Sequence, residues 1–248
     1  MNNAFINQLR IDWNRIDRRS YLKKIPSLQK FTSMEFTGPV TFFTGENGSG
    51  KSTLLEAIAV AYGFNPEVGS LNYHFSTYDS HSELYTATKL SKGYKMPKWG
   101  VFYRAESYYN VATKEKDYTD LAHPSRGLHS LSHGESFMEL METQFSPNSL
   151  YIFDEPEAAL CPRKQMSLMA KIYEYSKQGC QFIIATHSPI ILAVPGRNIW
   201  SFDDGQIRPC RYENTSCYQI THMFMTRRQQ MMEILLSEQE TEKYEENC

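Results

Sequence analysis

The sequence predicts an α/β fold with a mainly parallel central sheet, and three short apolar runs are what predict it. Val40-Thr41-Phe42-Phe43, introduced by Pro39, leads into a glycine-rich turn. Leu150-Tyr151-Ile152-Phe153 stops at the acidic pair Asp154-Glu155, and Phe182-Ile183-Ile184-Ala185 stops at Thr186-His187. Runs this short, continuous and rich in β-branched and aromatic residues suit strands buried on both faces of a parallel sheet.

The turn after the first run reads TGENGSGKSTLLEAI from Thr44 to Ile58 and fits the P-loop template G-x-x-x-x-G-K-[ST]. Gly45, Gly48 and Gly50 let successive N–H groups turn inward toward a phosphate, and a helix expected over Ser52 to Ala61 presents its positive end to the same point. Lys51 is then placed to reach the β- and γ-phosphates and Ser52 to ligate Mg²⁺. The expected triphosphate-binding set is Asn47, Gly48, Ser49, Gly50, Lys51, Ser52 and Thr53, with a nucleoside triphosphate and Mg²⁺ as the cofactors.

The second run, within SLYIFDEP, is expected to lie beside the P-loop strand, with Asp154 as a Mg²⁺ ligand. Glu155 is placed to polarise the water that attacks the γ-phosphate. Pro162 suits the first position of a helix to about Lys177, with Gly179 as a stop just beyond it. Ile199 to Phe202, Asp203-Asp204-Gly205 and Gln206 to Arg208 read as a hairpin with a tight Asp-Gly turn. In LSHGES, Ser132 and Glu135 form a capping box at the start of a helix.

The 248 residues are read as one domain over 1–248, with an inserted or peripheral lobe over 64–130 and a C-terminal segment from 206 that ends in a fraying tail. Met223 to Leu236, rich in Met and Leu, is read first as core and second as packing in a partner's groove. A net charge of −2 excludes coating of nucleic acid by bulk charge. Arg10, Arg15, Arg18, Arg19, Lys23 and Lys24 form a local basic cluster, read first as a solvated face and second as a nucleic-acid contact. Every apolar run falls short of the roughly 20 residues that cross a bilayer. The five cysteines form no C-x-x-C pair, and the N-terminal stretch lacks a secretory layout, so a cytoplasmic chain with reduced thiols is expected.

Taken in order, GENGSGKST, LSHGE (Leu131 to Glu135), YIFDEP, EAAL and ATHSP resemble the motif set of ABC-type ATPases over most of residues 36–205. The resemblance implies a P-loop NTPase of ABC type with an antiparallel β portion and a small lobe carrying the signature, and it makes the triphosphate ATP. It implies that Ser132 and Gly134 contact, in trans, the γ-phosphate of an ATP held on the opposite subunit of a head-to-tail homodimer or higher oligomer. It makes His187 the switch histidine, Ala158-Ala159-Leu160 the loop coupling the two sites, and Glu106 the counterpart of a Mg²⁺-contacting glutamine.

His133 and Glu135 depart from the glycine and glutamine usual in transporter motors, and the stretch from Lys51 to Ser132 is too short for the long coiled coil of SMC proteins. RAES, SHGES, DEPEAAL and FIIATHSP resemble compact bacterial ATPases of the SMC/RecF/OLD kind. Several of those accompany nucleases or reverse transcriptases in phage-defence systems such as Septu and retrons. The function this implies is a soluble ATPase switch or sensor in a nucleic-acid-related or defence complex, with an effector nuclease or reverse transcriptase as partner. The alternatives are the nucleotide-binding subunit of an ABC transporter and a non-hydrolysing scaffold held together by ATP.

Overall fold

The computed structural model describes residues 4–65, 69–70, 82–105 and 143–245. Ten strands among these form two sheets. The central one has seven strands: β3 (Val40–Thr44), β4 (Gly69–Ser70), β6 (Trp99–Arg104), β7 (Ser149–Asp154), β8 (Gln181–Ala185), β9 (Asn198–Ser201) and β10 (Arg208–Cys210). Their order is β10-β9-β3-β8-β7-β6-β4, with the five inner strands parallel and the two edges antiparallel. Every residue of β3, β7 and β8 is buried. Alternate side chains therefore feed opposite faces: Phe43, Ile152 and Ile183 pack on one, and Phe42, Phe153 and Ile184 on the other.

Helix α2 (Lys51–Tyr62) covers the first face and is sandwiched there by the smaller sheet. That sheet is antiparallel, in the order β2-β1-β5, and is formed by β1 (Ile6–Ile11), β2 (Ser33–Glu35) and β5 (Thr88–Lys92). The short helices α1 (Pro26–Gln29) and α3 (Leu84–Ala87) fill the gaps beside α2. One buried side chain ties the two sheets together. Gln181 on β8 accepts the N–H groups of Phe5 and Ile6 at 2.8 and 2.9 Å and donates to the Ile6 carbonyl at 2.9 Å.

The second face is covered by α4 (Pro162–Lys177) and the short α5 (Pro189–Leu192). Proline at the first turn and Gly179, at φ +83° just past the end, bound α4 where the sequence predicts. Leu168 and Ile172, four apart on one stripe, are its buried residues, each contributing about 1.5–3 kcal/mol of apolar burial. A stacked aromatic group of Phe145, Tyr151, Tyr175 and Phe182 fills the end of this core.

Five expectations change. The acidic strand β7 does not lie beside the P-loop strand β3; β8 runs between them and pairs with both. The Ile199–Arg208 hairpin pairs as expected but turns through a wider 3₁₀ segment, Asp203–Gly205, with Asp204 and Gly205 both at positive φ. Two segments of the stretch read as a peripheral lobe are built into the sheets, because β5 pairs with β1 and β6 pairs with β7. Residues 66–68, 71–81 and 106–130 of it lie outside the described residues.

At the C-terminus, α6 (Ser216–Thr226) has no buried residue, and Met223, Met225, Ile234, Leu235 and Leu236 are exposed rather than core. The supposed fraying tail continues α7 (Arg228–Glu245) nearly to the end, since its Glu, Gln, Lys and Leu are good helix formers. No helix of the described residues is long and apolar enough to cross a membrane.

Candidate functional site

The C-terminal ends of β3, β7 and β8 converge, and each delivers one of the predicted motifs. From β3 the chain turns through Gly45 to Gly50 into α2. Gly50, at φ +94°, is the cap of that helix, and a Cβ there would come 3.0 Å from Ile25 and 3.2 Å from Leu28. Only glycine satisfies both the backbone and the packing. At Gly48, φ +75°, a Cβ would meet nothing within 4 Å, so the loop is open on the side a phosphate would take.

Lys51 is 3% exposed, and its Nζ donates to the carbonyls of Gly45 and Glu46, each at 2.8 Å. The ammonium is folded onto its own loop. Burial pushes its pKa down, opposed by the charges of Glu155, Asp154, Asp203 and Glu157. An anion above the loop would therefore meet a buried cation that already serves two carbonyls and lies in the field of four carboxylates. The loop is braced from outside by Ser27, whose hydroxyl donates to the Ser49 carbonyl, and by Asp203, which accepts the Glu46 N–H at 3.1 Å.

Asp154 ends β7 and is buried. Its Oδ1 accepts the Ser52 hydroxyl at 2.9 Å. Its Oδ2 accepts from Arg104 Nε at 3.2 Å, and Arg104 Nη1 reaches Glu56 Oε2 at 2.7 Å. Burial raises the Asp154 pKa, while Arg104 and Ser52 oppose the rise. For Arg104 burial works against the charge, yet Asp154 and Glu56 lift its pKa above the ordinary value. The Ser52 hydroxyl and the Asp154 carboxylate, side by side in a buried corner, are the hard oxygen donors that suit Mg²⁺. These residues fit the metal.

Glu155 sits in the left-handed region, φ +49° and ψ +53°, without being glycine. Such conformations cost of order 1–3 kcal/mol and cluster at functional sites. The turn aims its carboxylate at His187, whose Nε2 lies 3.6 Å from Oε1, beyond hydrogen-bond reach. The His187 pKa is lowered by burial first and by Lys51 second.

The His187 backbone N–H donates to Glu157 Oε1. Among the described residues, Ser49 Oγ, Glu157 Oε2 and His187 Nε2 are buried polar atoms around this corner with no hydrogen-bond partner. Unsatisfied groups of this kind are what a site built for a polar ligand leaves.

The structure thus brings together Gly48, Ser49, Gly50, Lys51, Ser52, Asp154, Glu155 and His187. Asn47 is exposed on the loop, and Thr53 sits half-buried as the third residue of α2. Glu106, Ser132 and Gly134 lie outside the described residues. Four participants were missed. Glu157 was in plain view in DEPE, but its partner is supplied by another strand. Arg104 stands in RAES and Asp203 in the Asp-Gly turn, but nothing local ties them or Glu56 to the loop and Asp154, because that depends on sheet register and helix phase.

A P-loop opening a helix beneath a parallel sheet, an acidic strand one removed from it, an intervening strand ending in histidine and a small antiparallel sheet make this a P-loop NTPase fold of ABC type. A family model described as "AAA domain" matches residues 19–123, and one described as "AAA ATPase domain" matches residues 86–192. The arabinose import ATP-binding protein AraG of Pseudomonas savastanoi pv. phaseolicola is 29% identical over 187 residues, covering 66% of this chain. The guanosine import ATP-binding protein NupO of Bacillus subtilis is 26% identical over 170 residues, covering 59% of it. The chain spans only 37% and 32% of those relatives' lengths.

Among solved structures, the SMC head domain from Thermotoga maritima is 19% identical, covering 83% of this chain and 99% of that one, with a TM-score of 0.44. An ATP-binding cassette of an ABC transporter is 15% identical, covering 84% and 92%, with a TM-score of 0.43.

Proposed function

We propose that the chain is an ATPase that binds ATP with Mg²⁺ at composite sites of a head-to-tail dimer and acts as a conformational switch. The observation that carries this is the convergence of Lys51, Ser52, Asp154, Glu155 and His187 at the ends of three neighbouring parallel strands. Asn47 to Thr53 cradle the phosphates with backbone N–H groups, and Lys51 leaves the Gly45 and Glu46 carbonyls for the β- and γ-phosphates. Ser52 and Asp154 hold the metal, and bound Mg²⁺ supplies charge neutralisation on the phosphate oxygens. Glu155 accepts a proton from the attacking water, and His187, neutral at neutral pH, meets the γ-phosphate.

Ser132 and Gly134 of a second copy close the site on this reading, Glu106 supports the metal, and residues 1–248 act as one domain. ATP then joins two copies, and loss of the γ-phosphate parts them. With hydrolysis blocked in Glu155→Gln, sedimentation in ATP and Mg²⁺ should show a dimer that dissociates when the nucleotide is removed. A strictly monomeric variant rejects the head-to-tail arrangement. Phosphate release that Glu155→Ala leaves unchanged would favour the scaffold reading.

The switch serves, on this proposal, a cytoplasmic nucleic-acid-related or antiviral defence complex with a nuclease or reverse-transcriptase effector. A second reading, the ATP-binding subunit of an ABC transporter, is supported by the import proteins that the chain resembles. Affinity purification separates the two. A multi-span membrane protein in stoichiometric amount supports the transporter, and a soluble nuclease or polymerase supports the switch.

A further inference from the structure

Arg104 ends β6 and opens the RAES stretch, where the sequence assigns it no role, yet it holds the carboxylate on which the metal site depends. Its guanidinium bridges Asp154 Oδ2 at 3.2 Å and Glu56 Oε2 at 2.7 Å, and the two carboxylate side chains are only 6% and 7% exposed. Glu56 lies one helical turn after Ser52 on α2, so both project from one side of the helix toward Asp154. Glu56 is itself fixed, since its other oxygen accepts the Ser82 N–H at 2.8 Å. One cation thus serves two buried carboxylates, and the shorter contact is the one to Glu56.

We propose that Arg104 is the resident counter-cation of the metal site. It competes with Mg²⁺ for Asp154, Glu56 holds it partly back, and the pair together sets how much Mg²⁺ nucleotide binding requires. The inference rests on the reading of Ser52 and Asp154 as the metal-holding pair. A guanidinium is permanently charged and offers several donors in a fixed plane, so it can stay on Glu56 while its Nε contact to Asp154 loosens. A lysine in its place would supply the charge without the fork. A purely structural ion pair would weaken the fold when broken, but it would not make two substitutions act in opposite directions on the metal requirement.

The test is the Mg²⁺ concentration giving half-maximal binding of a fluorescent non-hydrolysable ATP analogue. Arg104→Gln removes the competitor and should lower it by about tenfold, the change that about 1.4 kcal/mol of competition produces. Glu56→Gln releases Arg104 onto Asp154 and should raise it several-fold. Arg104→Lys, which keeps a cation, should fall between wild type and Arg104→Gln. Shifts of the same sign in the two Gln variants, or none in either, overturn the competition.

Should Arg104→Gln fail to fold, the Glu56→Gln result decides alone: a raised requirement supports the inference, and a lowered or unchanged one overturns it. A wild-type protein that binds no analogue with Mg²⁺ overturns the site reading and this inference together. A wild type that binds while both variants are unshifted overturns the role of Arg104 only.

Discussion

At the scale of single residues, the site combines an unfavourable backbone with unfavourable burial. Glu155 occupies the left-handed region without glycine's freedom, the kind of strain that clusters at functional sites. Glu155→Gly should therefore be more stable to denaturant than Glu155→Ala by about 1 kcal/mol, because only the alanine keeps the misfit between Cβ and backbone. Equal midpoints for the two would refute the strain.

His187 makes a separate claim about pH. Burial and Lys51 hold its pKa below the ordinary 6.5, so the unfolded chain takes up the proton first. Stability is then undiminished above about pH 6.5 and falls as pH drops through that value toward the lower folded pKa. Urea melts between about pH 8 and pH 5 should show this loss, and His187→Gln should flatten it.

At the scale of elements, the parallel strands and the helices behind them behave differently from the C-terminal pair. Burial of α4 through Leu168 and Ile172 makes it part of the core, whereas α6 has no buried residue and α7 leaves Ile234, Leu235 and Leu236 in solvent. Helices held so loosely contribute little to global stability. Deleting residues 228–248 should shift Tm by less than about 2 °C, and should reduce binding of a hydrophobic dye by removing exposed aliphatic surface. A large drop in Tm would show that α7 packs on the body in solution. The N-terminal basic cluster belongs to this scale too. Arg10, Arg15, Arg18, Arg19 and Lys24 are exposed, and Lys23 donates to the Ile16 carbonyl, which suits a solvated face and a nucleic-acid contact alike.

At the scale of the molecule, the antiparallel sheet is joined to the parallel one by α2, by apolar packing and by Gln181. The amide of Gln181 satisfies three buried backbone groups of β1 and its approach. Gln181→Ala should cost about 3 kcal/mol, since buried unsatisfied groups cost roughly 1–3 kcal/mol each and relaxation recovers part of it. Hydrogen exchange should then show Phe5 and Ile6 losing protection before the core of β3 and β8 does. Simultaneous loss across both sheets would mean that the two unfold as one unit.

Much of this was legible in the chain because it is written locally. Pro39 to Phe43, Leu150 to Phe153 and Phe182 to Ala185 announced β3, β7 and β8 by runs of apolar residues, and α4 was bounded by Pro162 and Gly179. Lys51, Ser52, Asp154, Glu155 and His187 stood out because loop and strand-end chemistry depends on neighbours in sequence. The order of the strands did not. That β8 intervenes between β3 and β7, and that β6 brings Arg104 onto Asp154, follows from pairing between segments far apart in the chain. The sequence by itself determined which residues could handle a triphosphate. Only the tertiary structure decided what surrounds them, Arg104 and Glu56 on the metal side and Glu157 beneath His187, because burial and charge pairing depend on which distant segments meet.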